Sequence, residues 1–382
     1  MSWSLENELL KMGNIRQVLS ELVRIDSVSS RSNLEIVDYL ERRCQALNLI
    51  TRRFPYRDEH GIEKINLIAL TADVSEVELA LVGHTDTVPY DPHWTEATSL
   101  AERDGKLYGR GSCDTKAFIA AALTAVENVN SSKPLALIFT ADEEIGLRGA
   151  KQLAQLKPLR VRYSIVGEPT SLKPIRAGKG YSLAEVIVKG REAHSAYPAL
   201  GASAIFRAAR LINRLDSIAE QLKTELHDAF DPPYTTLNVG LIHGGTAKNV
   251  LAGECRFTLE WRPIPTQPSE RVLELFRAAI EAERAIDPQL ECEVDANRQD
   301  TGFETPPDSP LIKLLENCTG KGSGTVAFGT EAAQMMLLGS ESVVIGPGDI
   351  REAHRTGEFV PVYELERCAE ILRQSITQLC SP

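Results

Sequence analysis

The chain has 382 residues, of which 43% are hydrophobic and 25% charged, with a net charge of −11 at pH 7. This exceeds the ~250–300 residues at which a single core stops growing, so two domains are expected. The acidic balance argues against nucleic acid or an anionic membrane as a partner.

The stretch Met1–Glu6 lacks the basic and apolar regions of a signal peptide, and no apolar run is long enough to span a bilayer. Seven scattered cysteines without a Cys-x-x-Cys pair point to free thiols in a reducing cytoplasm, not to disulfides or a thiolate metal site. Leu5–Leu22 and Asn33–Leu47 carry apolar residues at helical spacing, the second with Ser32 as N-cap. Leu79-Ala80-Leu81-Val82 reads as a buried parallel strand that empties into Gly83-His84-Thr85-Asp86-Thr87-Val88-Pro89, where Pro89 forbids a return to the ladder. Ligands bind at that edge of open α/β sheets. His84 is therefore a candidate metal ligand, with Asp86 as the carboxylate that fixes its tautomer.

Gly109-Arg110-Gly111-Ser112-Cys113-Asp114 is a glycine-rich turn before an alanine-rich helix, Lys116–Val129. Taken alone, Asp114 reads as a helix cap favoured by the dipole. Leu135–Thr140 is a strand that runs into Asp142-Glu143-Glu144, acids that repel one another unless protons or cations compensate. A helix over Leu147–Leu156 precedes the strand Tyr163–Val166, which delivers Glu168 to the same edge.

After Gly178 the pattern changes. Strands over Tyr181–Val188, Thr235–Ile242, Glu254–Trp261 and Leu290–Val294 alternate with helices over Ser203–Leu222 and Glu270–Ala285. The order βαββαβ is that of a ferredoxin-like α+β unit with antiparallel pairing. Residues 178–299 thus read as an insertion into an α/β domain made of residues 1–177 and 300–382. From Gly302 the α/β character returns, with a helix over Ile312–Asn317, Thr325–Thr330 leading to Glu331, a strand over Ser342–Ile345, a loop carrying His354 and a terminal helix over Leu365–Leu379.

His84, Asp114, Glu143, Glu144, Glu168 and His354 offer imidazole and carboxylate without thiolate, a set that suits Zn²⁺, Co²⁺ or Mn²⁺ in a hydrolytic site. Two histidines and three carboxylates suffice for two ions if one carboxylate bridges. Ions ~3.5–4 Å apart can polarise a carbonyl and acidify a shared water. A further carboxylate can then carry the water's proton to a leaving amine. Glu143 and Glu144 could divide that work, and either can take either part.

These motifs, together with Gly167-Glu168-Pro169-Thr170, Ala193-His194-Ser195 and His354, resemble those of the M20 metallopeptidases, in order from about Leu79 to Glu358. Ala177-Gly178-Lys179-Gly180, His243-Gly244-Gly245-Thr246-Ala247-Lys248-Asn249, Trp261-Arg262-Pro263 and Gly329-Thr330-Glu331 resemble the branch that deacetylates Nα-acetyl-L-ornithine. The resemblance implies a zinc-exopeptidase-like α/β/α catalytic domain with an inserted lid and dimerisation domain. It implies that Asp114 bridges two zinc ions, that His84 and Glu168 hold one, and that Glu144 and His354 hold the other. Glu143 would be the general base and Asp86 would support His84. His194 of a homodimer partner would stabilise the oxyanion, while Lys179, Asn249, Arg262 and Thr330 would contact substrate. Arg262 would be the carboxylate clamp, because its fork binds bidentately.

Succinyl-diaminopimelate, acetylcitrulline and dipeptides are sister substrates that the ligand set does not separate. Cys113, Thr115 and Ala117 near the bridging residue, and Glu260-Trp261 before the clamp, depart from the family pattern. A non-catalytic binding protein or a structural cation site is the remaining reading. A spare carboxylate beside a full ligand set speaks against both.

Overall fold

The computed structural model describes residues 14–127 and 131–381. They form two compact units, one of residues up to Arg176 with Thr305–Gly324 and Thr330 onward, the other of Ala177–Glu304 with Thr325–Gly329. The inserted unit thus runs past residue 299 to Glu304 and includes five residues of the later segment.

The first unit opens with α1 (Ile15–Arg24), α2 (Leu34–Ala46) and the hairpin β1 (Ile50–Arg57) and β2 (Glu63–Leu70). β3 (Glu76–His84), the short β4 (Ala101–Arg103) and β5 (Lys106–Tyr108), α3 (Lys116–Ala125) and β6 (Leu135–Thr140) follow. Next come α4 (Arg148–Leu156), β7 (Arg160–Val166) and β8 (Ile175–Gly178), at which the chain passes into the second unit. That unit holds β9 (Tyr181–Lys189), α5 (Ala204–Leu222), β10 (Thr236–Gly244), β11 (Glu254–Arg262), α6 (Arg271–Ile286), β12 (Cys292–Asp300) and β13 (Phe303–Glu304). The chain closes with α7 (Pro310–Thr319), β14 (Gly324–Val326), α8 (Ala332–Met336), β15 (Glu341–Val344), β16 (Phe359–Pro361) and α9 (Val362–Cys380).

The first unit's sheet has the order β1-β2-β6-β3-β7-β15. β3 runs parallel to both β6 and β7, and His84 stands abreast of Thr140. Side chains alternate across the pleat. Leu79, Leu81, Leu135, Leu137 and Phe139 therefore enter one core with α1, α2, α3, α7 and α9. Ala80, Val82, Ala136 and Ile138, also buried, take the opposite face, where α4 and α8 pack together against β2, β7 and β15. A side chain at Gly167 would meet the Phe118 ring at 2.2 Å, so α3 reaches the end of β7 only over glycine.

The second unit is a four-stranded antiparallel sheet in the order β10-β11-β9-β12, the ferredoxin-like pattern expected from the chain order. β9 alternates half-buried and buried residues, and α5 and α6 cover the buried face around Trp261, Phe257 and Phe276.

Three expectations need correction. Asn33, not Ser32, is the N-cap of α2; the Ser32 hydroxyl donates to the Glu63 carbonyl at 2.8 Å. Thr115, not Asp114, is the N-cap of α3, which frees the Asp114 carboxylate for other partners. The last strand of the insertion extends to Asp300, because its polar residues alternate along an edge strand. The expected helix segments before Asn14 and after Glu127 lie partly outside the described residues.

Candidate metal centre

His84 ends β3 and is buried. Its Nδ1 lies 2.9 Å from the Asp86 backbone carbonyl, and its Nε2 lies 3.0 Å from Asp114 Oδ1. A carbonyl only accepts, so Nδ1 carries the proton and the Nε2 lone pair faces a carboxylate oxygen. That contact is favourable only with a proton or a cation between the two atoms. The Asp86 carboxylate is within ion-pair range of the ring but is not its hydrogen-bond partner. It stands 3.7 Å from Nδ1 and instead accepts from Ser29 Oγ at 2.7 Å, the Glu143 N–H at 3.0 Å and the Glu144 N–H at 3.3 Å.

Asp114 presents its second oxygen, Oδ2, 3.1 Å from His354 Nε2, which is 3.0 Å from Glu144 Oε1. Ligand atoms of His84, Asp114 and Glu144 lie within 4.8 Å of one another. One carboxylate thus faces two imidazoles, one per oxygen, the disposition of a bridge between two cations. Glu168 is buried just past β7, where the charges of Asp114 and Glu143 act on it.

Burial, then the charges of neighbouring acids such as Asp114, hold the Glu168 carboxyl well above its usual range. Burial, then Glu144, Glu331 and Asp114 against the opposing His84, do the same for Glu143, and burial raises Glu144. Burial likewise pushes Glu331 up to about 7. Asp114 is held below the carboxylate range despite its burial, because His354 and His84 hydrogen-bond to it. Those bonds, from Asp114 and Glu144, lift His354 to about 10. The cluster calls for positive charge. Two imidazoles and three carboxylates fit divalent zinc, cobalt or manganese by donor type.

Several residues missed in the sequence hold these side chains in place. Glu358, fully buried, accepts from Arg110 Nη1 at 2.5 Å and from the Gly111, Cys113 and Asp114 N–H groups at 3.1, 2.8 and 3.0 Å. It ties the turn of Asp114 to the loop of His354. Lys64 and Tyr56, on the hairpin strands, bind the Asp142 carboxylate at 2.7 and 2.8 Å. An acid four residues after His354 and a lysine inside an otherwise apolar strand were the available signals.

In the second unit, His194 is exposed and forms an isolated bridge with Val250, which brings its loop beside Asn249, whose carbonyl accepts the Ser195 N–H at 3.0 Å. Arg262 stacks over the Tyr181 ring at 4.3 Å and gives Nε to Glu260 at 2.8 Å, so Glu260 engages one edge of its fork. Trp261 points the other way, into the core, donating to the Ser269 carbonyl. Lys179 is buried, with its ammonium on the Pro232 and Tyr234 carbonyls at 2.7 and 2.6 Å, and burial pushes its pKa down to about 8. In the first unit, buried Thr330 accepts the Ala332 N–H at the start of α8.

The profile of peptidase family M20/M25/M40 matches residues 80–378. The chain belongs to this family. It is 49% identical to the acetylornithine deacetylase of Myxococcus xanthus over 96% of this chain and 97% of that one. It is 32% identical to the acetylornithine deacetylase of Proteus mirabilis over 97% and 98%. Its fold is shared with a tripeptidase from Staphylococcus aureus (TM-score 0.75, 24% identity, 96% and 97% of the two chains). It is shared too with a dinuclear metal binding M20 peptidase from Bacillus subtilis (TM-score 0.68, 13% identity, 96% and 97%). The chain is therefore an M20 hydrolase of a metal-dependent family. No helix among the described residues is long and apolar enough to cross a membrane.

Proposed function

We propose that this M20 hydrolase removes the acetyl group from Nα-acetyl-L-ornithine, giving L-ornithine and acetate for arginine synthesis, with two zinc ions as cofactor. The observation that carries the reading is the placement of Asp114 between His84 and His354, with the spare carboxylate Glu143 beside Glu144. The acetylornithine deacetylases at 49% and 32% identity over nearly the whole chain support the substrate.

His84 and Glu168 would hold one ion and Glu144 and His354 the other, with Asp114 shared between them. When bound, the ions polarise the amide carbonyl and acidify a water. Glu143 accepts a proton from the water whose oxygen bonds to the acetyl carbonyl carbon, and passes it to the leaving Nα as the C–N bond breaks, giving acetate and the free amine. Burial lifts the Glu143 carboxyl above the usual carboxylate range, the direction that favours its holding a proton between the two transfers. Asp86 fixes the backbone of Glu143 and Glu144 through their N–H groups. On the substrate side, Arg262 clamps the α-carboxylate, and Asn249, Lys179 and Thr330 are the further substrate contacts.

His194 donates to the oxyanion from a second copy of the chain in a homodimer formed by the inserted unit. The exposed Tyr197, Leu200 and Phe206, and the edge strand β10 with exposed Leu241 and Ile242, support such an interface. Seven free cysteines support a cytoplasmic location.

Initial rates of the zinc-loaded enzyme on Nα-acetylornithine, Nα-acetylcitrulline, succinyl-diaminopimelate and a dipeptide test the reading. A clear preference for acetylornithine is expected. Preference for another member of the panel overturns the substrate and keeps the chemistry, and no turnover with metal bound overturns both.

A further inference from the structure

The ammonium of Lys64 is fully buried on β2 and spends its three donors on the Ser29 carbonyl at 2.5 Å, the Arg31 carbonyl at 2.7 Å and Asp142 Oδ1 at 2.7 Å. The other Asp142 oxygen accepts from Tyr56. Ser29, whose carbonyl Lys64 holds, gives its hydroxyl to Asp86, and Asp86 holds the N–H groups of Glu143 and Glu144. Lys64 therefore joins two carboxylate clamps that close on one turn.

That turn has reason to need them. Asp142 is a non-glycine residue at φ +55°, a left-handed conformation that side chains disfavour. Glu143 and Glu144 follow at once, facing further acids. The rest of the turn is equally tied. Ala141 N–H goes to Asn66 Oδ1 at 3.0 Å, the Ala141 carbonyl accepts from Gly149, the Asp142 carbonyl from Arg148 and the Glu143 carbonyl from Gly146 and Leu147. A side chain at Gly149 would strike Asn66 Oδ1 at 2.2 Å, so α4 begins hard against this strand. Lys64 and Asn66 lie two residues apart on β2 and so reach the turn from one face of the strand.

We infer that Lys64 is a positioning residue for hydrolysis: by binding the Ser29 loop and the Asp142 carboxylate at once, it fixes the turn that aims Glu143 at the reacting water. The inference rests on the reading of Glu143 as general base. A lysine that only stabilised the fold would change melting temperature and leave the turnover of folded, metal-loaded enzyme alone. A misplacement of the base of about 1 Å lowers turnover by roughly 10²-fold.

The test is steady-state kinetics on Nα-acetylornithine, with zinc content and melting temperature measured for each variant. Lys64→Met is expected to lower kcat by ~10–100-fold with KM and two bound zinc ions retained. The charge-balanced pair Lys64→Met/Asp142→Asn is expected to recover melting temperature without recovering kcat. Tyr56→Phe, which removes one hydrogen bond from the same carboxylate, is expected to lower kcat by a smaller factor. If Lys64→Met does not fold, the paired variant and Tyr56→Phe decide. Parental kcat in the paired variant, or a kcat loss that only tracks lost zinc, overturns the positioning role. Glu143→Gln separates the two levels: full activity in that variant overturns the base assignment itself, whatever Lys64 does.

Discussion

Glu358→Gln isolates the link between the two loops that carry Asp114 and His354. The substitution keeps the shape and replaces one carboxylate oxygen by an NH₂ group. Every partner of the Glu358 carboxylate is a donor: Arg110 Nη1 and Gly111 N–H on one oxygen, Cys113 N–H and Asp114 N–H on the other. Either amide orientation therefore sets NH₂ against two buried N–H groups. With NH₂ toward Arg110, a buried guanidinium loses its counter-charge, a loss of ~3–5 kcal/mol when one partner of such a pair is removed. With NH₂ toward Cys113 and Asp114, two buried N–H groups lose their acceptor at ~1–3 kcal/mol each. The first route costs about 3–5 kcal/mol and the second about 2–6 kcal/mol, each a large share of a stability of ~5–15 kcal/mol. Urea denaturation followed by circular dichroism, with zinc and with chelator, reads the loss. Zinc titration should show weaker binding, since the backbone of Asp114 is no longer held. The double variant Arg110→Met/Glu358→Gln should recover part of the stability, because the orphaned charge is gone. A midpoint for Glu358→Gln equal to the parent's, with unchanged zinc affinity, would refute the clamp.

Three further outcomes are expected. His194→Ala should lower kcat by ~10²–10³-fold, the loss typical of one oxyanion donor, with zinc content intact; mixing it with Glu143→Gln should restore activity in hybrid dimers, and inactive hybrids place His194 in its own chain's site or outside catalysis. Arg262→Lys should raise KM for acetylornithine far more than it lowers kcat, because an ammonium cannot reproduce the bidentate fork, and an unchanged KM removes Arg262 as the clamp. In chelator the melting temperature should fall as pH rises. His354, raised to about 10, contributes stability that is complete below its unfolded value of ~6.5 and is lost as pH climbs through about 10. Buried Glu331, raised to about 7, adds a loss in the same direction as it ionises between ~4.3 and about 7. Zinc should flatten the dependence, and a chelated protein that gains stability over that range would refute the charge reading.

The residues proposed to bear the chemistry stand at or just past features that sequence marks well. His84 ends a buried parallel strand and Glu143, Glu144 and Glu168 follow two others, whose continuous apolar runs announce both the strand and its end. The inserted unit was legible from the opposite signal, alternation along half-buried strands such as β9 and β11. The hairpin β1–β2 was missed for a physical reason. β1 is an edge strand with Arg52, Arg53 and Pro55 in it, so neither an apolar run nor clean alternation survives. What was lost with it is the support of the site, since Tyr56, Lys64 and Asn66 all lie on that hairpin and all close on the turn before Glu143. The hydrogen bonds of Asp86 were hidden in the same way. A carboxylate two residues from a histidine looks like its orienting partner, yet the backbone carbonyl is the nearer to Nδ1 and the carboxylate accepts from two N–H groups of the turn 57 and 58 residues downstream. Ligands are read along the chain, because strand ends fix them locally. Their supports arise only from register between strands, as in the pairing of Leu67–Leu70 with Ala136–Phe139 that brings β2 alongside β6. Substitutions in these supports should therefore change geometry and turnover before they change the identity of the bound metal.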